Sequence, residues 1–266
     1  MILIWGISVT MPRNRQTDET IFSTQQTKDI HMRSLMIIMM IMMMSPTILL
    51  AQQFSRNLDG RQLEFEEVYF EDFKDNLENW LPEGKAEVER IRGRLSVDAR
   101  EGMVTIWCRK EFSGPQLVEY DVRLMSNSLE SNINMFLLAG KPDAAGILAS
   151  TADRNGDYSQ YHRFPNYLIT ILNGTSSDKR ERLRIRMRLN PGFELVEERW
   201  YEPLVFGKVY HVAYLIEPPG VTVLLDGKVI CKAVYKKKLI AGLHGLRIWR
   251  THSIYDNFRV SRLMNQ

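Results

Sequence analysis

Cysteine is nearly absent, with only Cys108 and Cys231 in 266 residues. That excludes the dense disulfide framework that holds small secreted scaffolds together. Both cysteines sit in strand-like segments, where two buried free thiols are the expected state; one disulfide in an exported chain is the alternative. The cysteines and the five histidines show no zinc-ligand spacing. Net charge is also scarce: 35 Lys and Arg stand against 32 Asp and Glu, leaving +3. Nothing global therefore argues for nucleic acid as a partner. No long amphipathic helix emerges from the apolar spacing and there is no internal repeat, which turns the reading away from helical and solenoid architectures.

Long apolar runs are missing after residue 51. The one such run, Leu35 to Met44, follows Met32-Arg33-Ser34 and precedes Ser45-Pro46-Thr47-Ile48-Leu49-Leu50-Ala51-Gln52. A basic start, a short apolar stretch and small residues at its end are the anatomy of a secretory signal peptide. The run is short for a membrane span and Pro46 interrupts it. No cysteine follows it to carry a lipid. Cleavage is expected after Ala51, with a periplasmic or secreted location and no stable membrane insertion afterwards; an uncleaved anchor is the competing reading. On this division residues 1–31 are an extension arising from start-codon choice. Residues 32–51 are the signal peptide, 52–67 a lead-in and 68–266 the folded domain. Roughly 215 residues remain after cleavage, enough for one large all-β domain with its own core.

The body reads as short strands separated by turns. Leu117 to Leu124 alternates Val118, Tyr120, Val122 and Leu124 against Glu119, Asp121 and Arg123. Asn132 to Leu138 is apolar enough to be buried on both faces. Arg92-Gly93-Arg94 and Asp226-Gly227 mark hairpins, and Gly114-Pro115 and Asn173-Gly174 mark further turns. Many short strands at regular spacing predict an antiparallel β sandwich or jelly roll.

The most distinctive stretch is Arg182-Leu183-Arg184-Ile185-Arg186-Met187-Arg188-Leu189. Side chains alternate across a strand, so Arg182, Arg184, Arg186 and Arg188 share one face while the aliphatic residues enter a core. Cations in one row repel unless an anion meets them, and the guanidinium fork suits carboxylates, sulfates and phosphates. A charged, solvated edge strand is the alternative.

Several segments together carry a resemblance. Glu71-Asp72-Phe73 with Trp80, Gly93-Arg94-Leu95, Leu225-Asp226-Gly227 and the closing Tyr255-Asp256-Asn257-Phe258-Arg259-Val260 are similar to concanavalin-A-like jelly rolls. Val104-Thr105-Ile106-Trp107, Ser113-Gly114-Pro115 with Val118-Glu119-Tyr120-Asp121, Tyr158-Ser159-Gln160-Tyr161-His162, Arg182-Leu183-Arg184 and Gly245-Leu246-Arg247 resemble, more narrowly, uncharacterised exported bacterial domains found near polysaccharide lyases. The likeness spans residues 68 to 263. It implies a concanavalin-A-like (lectin/glucanase) antiparallel β-sandwich fold and a carbohydrate ligand. It does not fix a reaction, because fold does not fix function.

Candidate chemistry follows from particular residues. Glu119 and Asp121 invite comparison with jelly-roll glycosidases, whose two carboxylates stand about 5 Å apart when they retain configuration. The third position of that pattern holds Arg123 or Leu124, so the pair reads as a polar strand face. Asp153-Arg154-Asn155-Gly156-Asp157 fails as an EF-hand loop, since the sixth and twelfth places hold Tyr158 and Phe164. No cofactor is expected; the resemblance would allow a structural calcium near Asp72 or Asp256. The best reactive cluster is Tyr158, Gln160, Tyr161 and His162. If extended, it puts Tyr158, Gln160 and His162 on one face. A uronate β-elimination needs a group to steady the carboxylate, a base for the C5 proton and an acid for the leaving oxygen, and this kit supplies all three. Trp107, Trp249, Arg247 and His252 are candidates to border the same cleft, the tryptophans by stacking on sugar. Three functions stay open. They are an exported β-eliminating lyase of acidic polysaccharide, a non-catalytic carbohydrate-binding domain, and a hydrolase or lyase of a small keto-sugar.

Overall fold

The computed structural model describes residues 52–125, 131–140, 145–174 and 182–264. The start-codon, signal-peptide and cleavage expectations for residues 1–51 lie outside them. Fourteen strands account for most of the described chain. They are β1 (Gln53–Leu58), β2 (Arg61–Glu71), β3 (Trp80–Arg90), β4 (Leu95–Ser113), β5 (Gln116–Leu124), β6 (Ser131–Ala139) and β7 (Asn166–Asn173). They continue with β8 (Leu183–Asn190), β9 (Glu194–Tyr201), β10 (Val209–Glu217), β11 (Gly220–Leu225), β12 (Lys228–Val234), β13 (Ala241–Trp249) and β14 (His252–Leu263). The only α-helix among the described residues is α1 (Ala145–Ala149), followed by 3-10 turns at Thr151–Asp153 and Tyr158–Tyr161.

The hairpins form where the turn residues direct them. Arg92 and Gly93 take φ of 52° and 70° between β3 and β4, and Asp226 and Gly227 take 47° and 77° between β11 and β12. Two successive positive φ values give the turn whose twist matches antiparallel strands. All strand pairs are antiparallel, in the order β12-β11-β10-β5-β14-β4-β13-β6-β7-β8-β9, with β3 on β4, β2 on β14 and β1 on β2. The nineteen-residue β4 joins two layers: Leu95–Asp98 pairs with β14, and its later part pairs with β13. Tyr120, Tyr214 and Val223 of one layer meet Ile106, Met135, Ile169 and Ile185 of the other in the main core. Cys108 and Cys231 are buried free thiols, each pushed up to about 11 by burial.

The domain begins earlier than residue 68. Leu58, Leu63 and Phe65 of β1 and β2 pack on Leu117, Ala213, Leu215 and Leu224, so residues 52–67 are part of the sandwich rather than a lead-in. The same hairpin covers the Glu119–Asp121 face. Glu119 is buried and ion-paired to Arg56 of β1, while His211 bridges Asp121 (Nδ1–Oδ1 2.9 Å) and Glu119 (Nε2–Oε1 3.1 Å). Asn257 donates to the other oxygen of Asp121 at 2.8 Å. This polar strand face is thus a part-exposed ion cluster around the buried Glu119. Hydrogen bonds to Asp121 and then Glu119 hold the His211 pKa up at about 9. A folded-state pKa above the ordinary histidine value gives stability that is complete below about pH 6.5 and lost as pH rises through about 9. His211 is part-exposed, so screening leaves a contribution of roughly 1–2 kcal/mol. Wild type should therefore lose more of its melting temperature between pH 7 and 10 than His211→Ala does, by roughly 2–8 °C. Parallel curves would show that the bridge contributes nothing.

Candidate functional site

The outer face of β4, β13, β6, β7 and β8 carries the site. Antiparallel register aligns its side chains in rows across the strands. Arg247 stands opposite Thr105 and Asn134, Asn134 opposite Thr170, and Thr170 opposite Arg186. One row toward the roofed end, Trp107, Gly245, Phe136, Leu168 and Arg188 are aligned in the same way. One row toward the open end stand Met103, Trp249, Leu172 and Arg184. Leu183, Ile185, Met187 and Leu189 enter the main core, so the expected division of the arginine strand holds for Arg184, Arg186 and Arg188. Arg182 lies just before β8 and is exposed.

Segment 145–164 roofs one end of this face. Ile147 and Tyr161, with Phe164, pack over Trp107, Phe136 and Leu168. The roof is fastened to β3. Arg154 donates through Nε and Nη2 to the two oxygens of Glu83 at 2.8 and 2.7 Å, with neither side chain exposed. Arg154 also donates to the Ile147 carbonyl at 2.6 Å and to Ser150 Oγ at 2.5 Å. The Tyr161 hydroxyl donates to the same Glu83 carboxylate. A Cβ on Gly84 would stand 2.4 Å from the Met103 carbonyl oxygen and 3.1 Å from Gly156 Cα, so two glycines let the roof backbone approach β3.

Between the roof and the open sheet lies a cleft of about 380 Å³, lined by Met103, Asn134, Asp157, Tyr158, Thr170, Leu172, Arg186, Arg247 and Trp249. Two cations, Arg186 and Arg247, line it, and Arg188 stands one row beyond Arg186, outside the lining. Burial, then Arg188 and Arg184, push Arg186 down to about 10. Arg186 Nε, Arg188 Nε and Nη1, Arg247 Nε and the Tyr158 hydroxyl have no hydrogen-bond partner among the described residues. Burial pushes Tyr158 up to about 12, opposed by Arg188, Arg186 and Arg247. Arg184, in contrast, donates to Glu198 at 2.6 Å and lies over Trp200.

Several expected site residues stand elsewhere. The segment Tyr158–Tyr161 is not extended but a 3-10 turn, because Asp157 caps it by accepting from Ser159 N and Oγ at 2.8 and 2.5 Å. Tyr158 therefore faces the cleft while Gln160 turns away and accepts from Asn155 N at 3.1 Å. Tyr161 is fully buried, and burial together with Glu83 raises its pKa, so it is a fastening of the roof rather than an acid or base. His162 stacks on Phe193 at 3.9 Å and meets Tyr158 edge-on; it is absent from the cleft lining, and burial and then Arg188 lower its pKa. Trp107 is core beneath the roof, not a sugar platform. His252 lies 3.1 Å from Ser96 Oγ, outside the cleft lining. Trp249, Arg247 and Arg186 do line it. Asn134, Thr170 and Asp157 join them unforeseen; the polar Asn134 between Ile133 and Met135 was the available signal. Asp72 and Asp256 are engaged by Lys74 and Arg94, and no group of three potential metal ligands occurs among the described residues. No helix among those residues is long and apolar enough to cross a membrane.

Comparison with solved structures shows the same architecture elsewhere. The chain is similar to a protein of unknown function with galectin-like fold from Bacillus subtilis, at TM-score 0.65 and 16% identity over 76% of this chain and 100% of that one. It is also similar to an endo-β-1,3-glucanase from Pyrococcus furiosus, at TM-score 0.54 and 12% identity over 80% and 99%. A mutant carbohydrate recognition domain of Emp46p gives TM-score 0.51 and 12% identity over 74% and 98%. At such identities the likeness shows the fold, a concanavalin-A-like jelly roll. No match was found among curated proteins. A family model described as a domain of unknown function, DUF6250, matches residues 97–258. That match covers more than half of the sequence, and the chain belongs to the DUF6250 family.

Proposed function

We propose that this protein is an exported carbohydrate-binding domain that takes an acidic glycan in the cleft beside Tyr158. The single observation carrying the reading is the pairing of unpartnered guanidinium nitrogens on Arg186 and Arg247, both in the cleft wall, with the aromatic residues Tyr158 and Trp249 of the same wall. Aromatic faces suit the apolar faces of sugar rings, and arginine forks suit acidic groups. The glucanase and the carbohydrate recognition domain of like fold support carbohydrate as the ligand class. Export rests on the leader pattern of Met32 to Ala51 and is checked by N-terminal sequencing for a start near Gln52. The binding reading is favoured over a lyase because Tyr158 alone of the four reactive candidates lines the cleft, and a tyrosine held near 12 is a poor base at neutral pH.

Arg186→Ala is expected to weaken acidic-glycan binding about tenfold or more, as loss of a hydrogen bond to a charged group does, with binding falling further as salt rises. Titration calorimetry at two ionic strengths reads both. Unchanged affinity for every acidic glycan in the variant would refute the cleft as the binding site.

A further inference from the structure

We infer that the wall of the cleft where Arg186 and Tyr158 line it, with Arg188 one row behind Arg186 toward the roof, is a seat for one acidic group, a carboxylate or sulfate on a single sugar, held by Arg186, Arg188 and the Tyr158 hydroxyl. This rests on the glycan reading above and adds where and how the charge is read.

The argument starts from hydrogen-bonding capacity. Arg188 is 7% exposed, yet two of its guanidinium nitrogens have no partner among the described residues, and the buried Tyr158 hydroxyl has none either. Buried donors without acceptors are costly, and native structures rarely keep several at one place without a use. The neighbouring carboxylates bond elsewhere: Glu198, directly across the strands from Arg186, takes Arg184, and one oxygen of Asp157 accepts from Ser159. Arg186 and Arg188 thus face each other's charge without a carboxylate paired to either.

Position supports the same reading. Arg186 and Arg188 are two residues apart on one face of β8, hence roughly 7 Å apart along the strand, so an anion between them is within reach of both long side chains. Arg188 is held in place: its guanidinium lies 4.4 Å over the Phe193 ring, and His162 stacks on Phe193 at 3.9 Å. A fork fixed against an aromatic ring loses little freedom when it grips an acid. Tyr158 sits where Arg186, Arg188 and Arg247 all act on its hydroxyl, and it supplies a neutral donor beside two charged ones. His162, expected from sequence to be a base, is by this account a positioning residue behind Phe193 and Arg188.

The test uses the full chain and three oligosaccharide probes of equal length: a uronide, its carboxyl-reduced neutral counterpart, and a sulfated neutral sugar. Wild type should bind at least one acid probe about tenfold or more tighter than the neutral one. The tighter acid probe identifies the group. Arg188→Gln and Tyr158→Phe should each lose most of that preference while the affinity for the neutral probe stays as it was. Tyr158→Phe removes one oxygen and keeps the ring, so loss of fold does not confound it, and unchanged melting temperatures confirm this for both variants. If both variants keep the wild-type preference while Arg186→Ala or Trp249→Ala loses binding, the cleft reading stands and the seat is wrong. If wild type binds none of the three probes, the glycan reading itself is overturned and the seat with it.

Discussion

Glu83→Ala is expected to destabilise the protein by about 3–5 kcal/mol, the usual cost of removing one partner of a buried ion pair. The magnitude follows from what would be stranded. Arg154 is wholly buried, and its two strongest contacts are the oxygens of Glu83 at 2.8 and 2.7 Å. Its remaining acceptors, the Ile147 carbonyl and Ser150 Oγ, lie on the roof itself, so they cannot tie the roof to the sheet. The Tyr161 hydroxyl loses its acceptor in the same step. A charge in that position either stays buried without a counter-ion or swings into water and lifts segment 145–164 with it. The second route displaces Tyr158, so there glycan binding should fall together with stability. In a domain of this size the loss corresponds to roughly 6–20 °C of melting temperature. Urea unfolding gives the free energy, and limited proteolysis within 145–164 tells the two routes apart. A midpoint within a degree or two of wild type would mean that the roof is held by packing alone.

How much of this was legible beforehand depends on the distance over which each feature is decided. The faces of Arg184, Arg186 and Arg188 followed from the two-residue period of a strand, which fixes every side chain once one face is buried. The Arg92-Gly93 and Asp226-Gly227 hairpins were equally local, because positive φ at two adjacent residues is a property of the turn itself. The reactive cluster was misjudged for a local reason as well. Asp157 accepts from the backbone two residues on and turns Tyr158 to Tyr161 into a helical coil, so residues read as sharing one face of an extended segment were dispersed. Other features were beyond sequence pattern altogether. Glu83 and Arg154 are 71 positions apart, and neither is unusual in its own segment. Alternation along β4 sends Ile106 into the main core and Trp107 to the opposite face. Whether that face is open or roofed is decided by a segment some forty residues later.

Trp107 and Trp249 give the second large effect, and they separate core from binding surface on one side of one sheet. Trp107→Ala should cost about 3–5 kcal/mol, as expected for a large aromatic removed from a packed core. The indole is 1% exposed, stacks on Phe136 at 5.4 Å between centroids with planes 28° apart, and meets Tyr161 at 6.0 Å. Gly245 is the residue that makes room for it: a Cβ there would lie 2.6 Å from the ring. With alanine at 107 and glycine opposite at 245, nothing on the sheet fills the space below the roof, and the cavity should stay open. Trp249 is half-buried at the mouth of the cleft, so Trp249→Ala should change stability by less than about 1 kcal/mol while weakening glycan binding. Thermal unfolding and titration of the two variants side by side would test the contrast, and equal stability losses would contradict it. Trp107→Phe sharpens the point. The Trp107 indole N–H has no partner among the described residues, so phenylalanine removes no hydrogen bond and keeps most of the stacking. It should cost less than about 1.5 kcal/mol. A loss as large as that of alanine would mean that the part of the indole that phenylalanine lacks carries the packing under the roof.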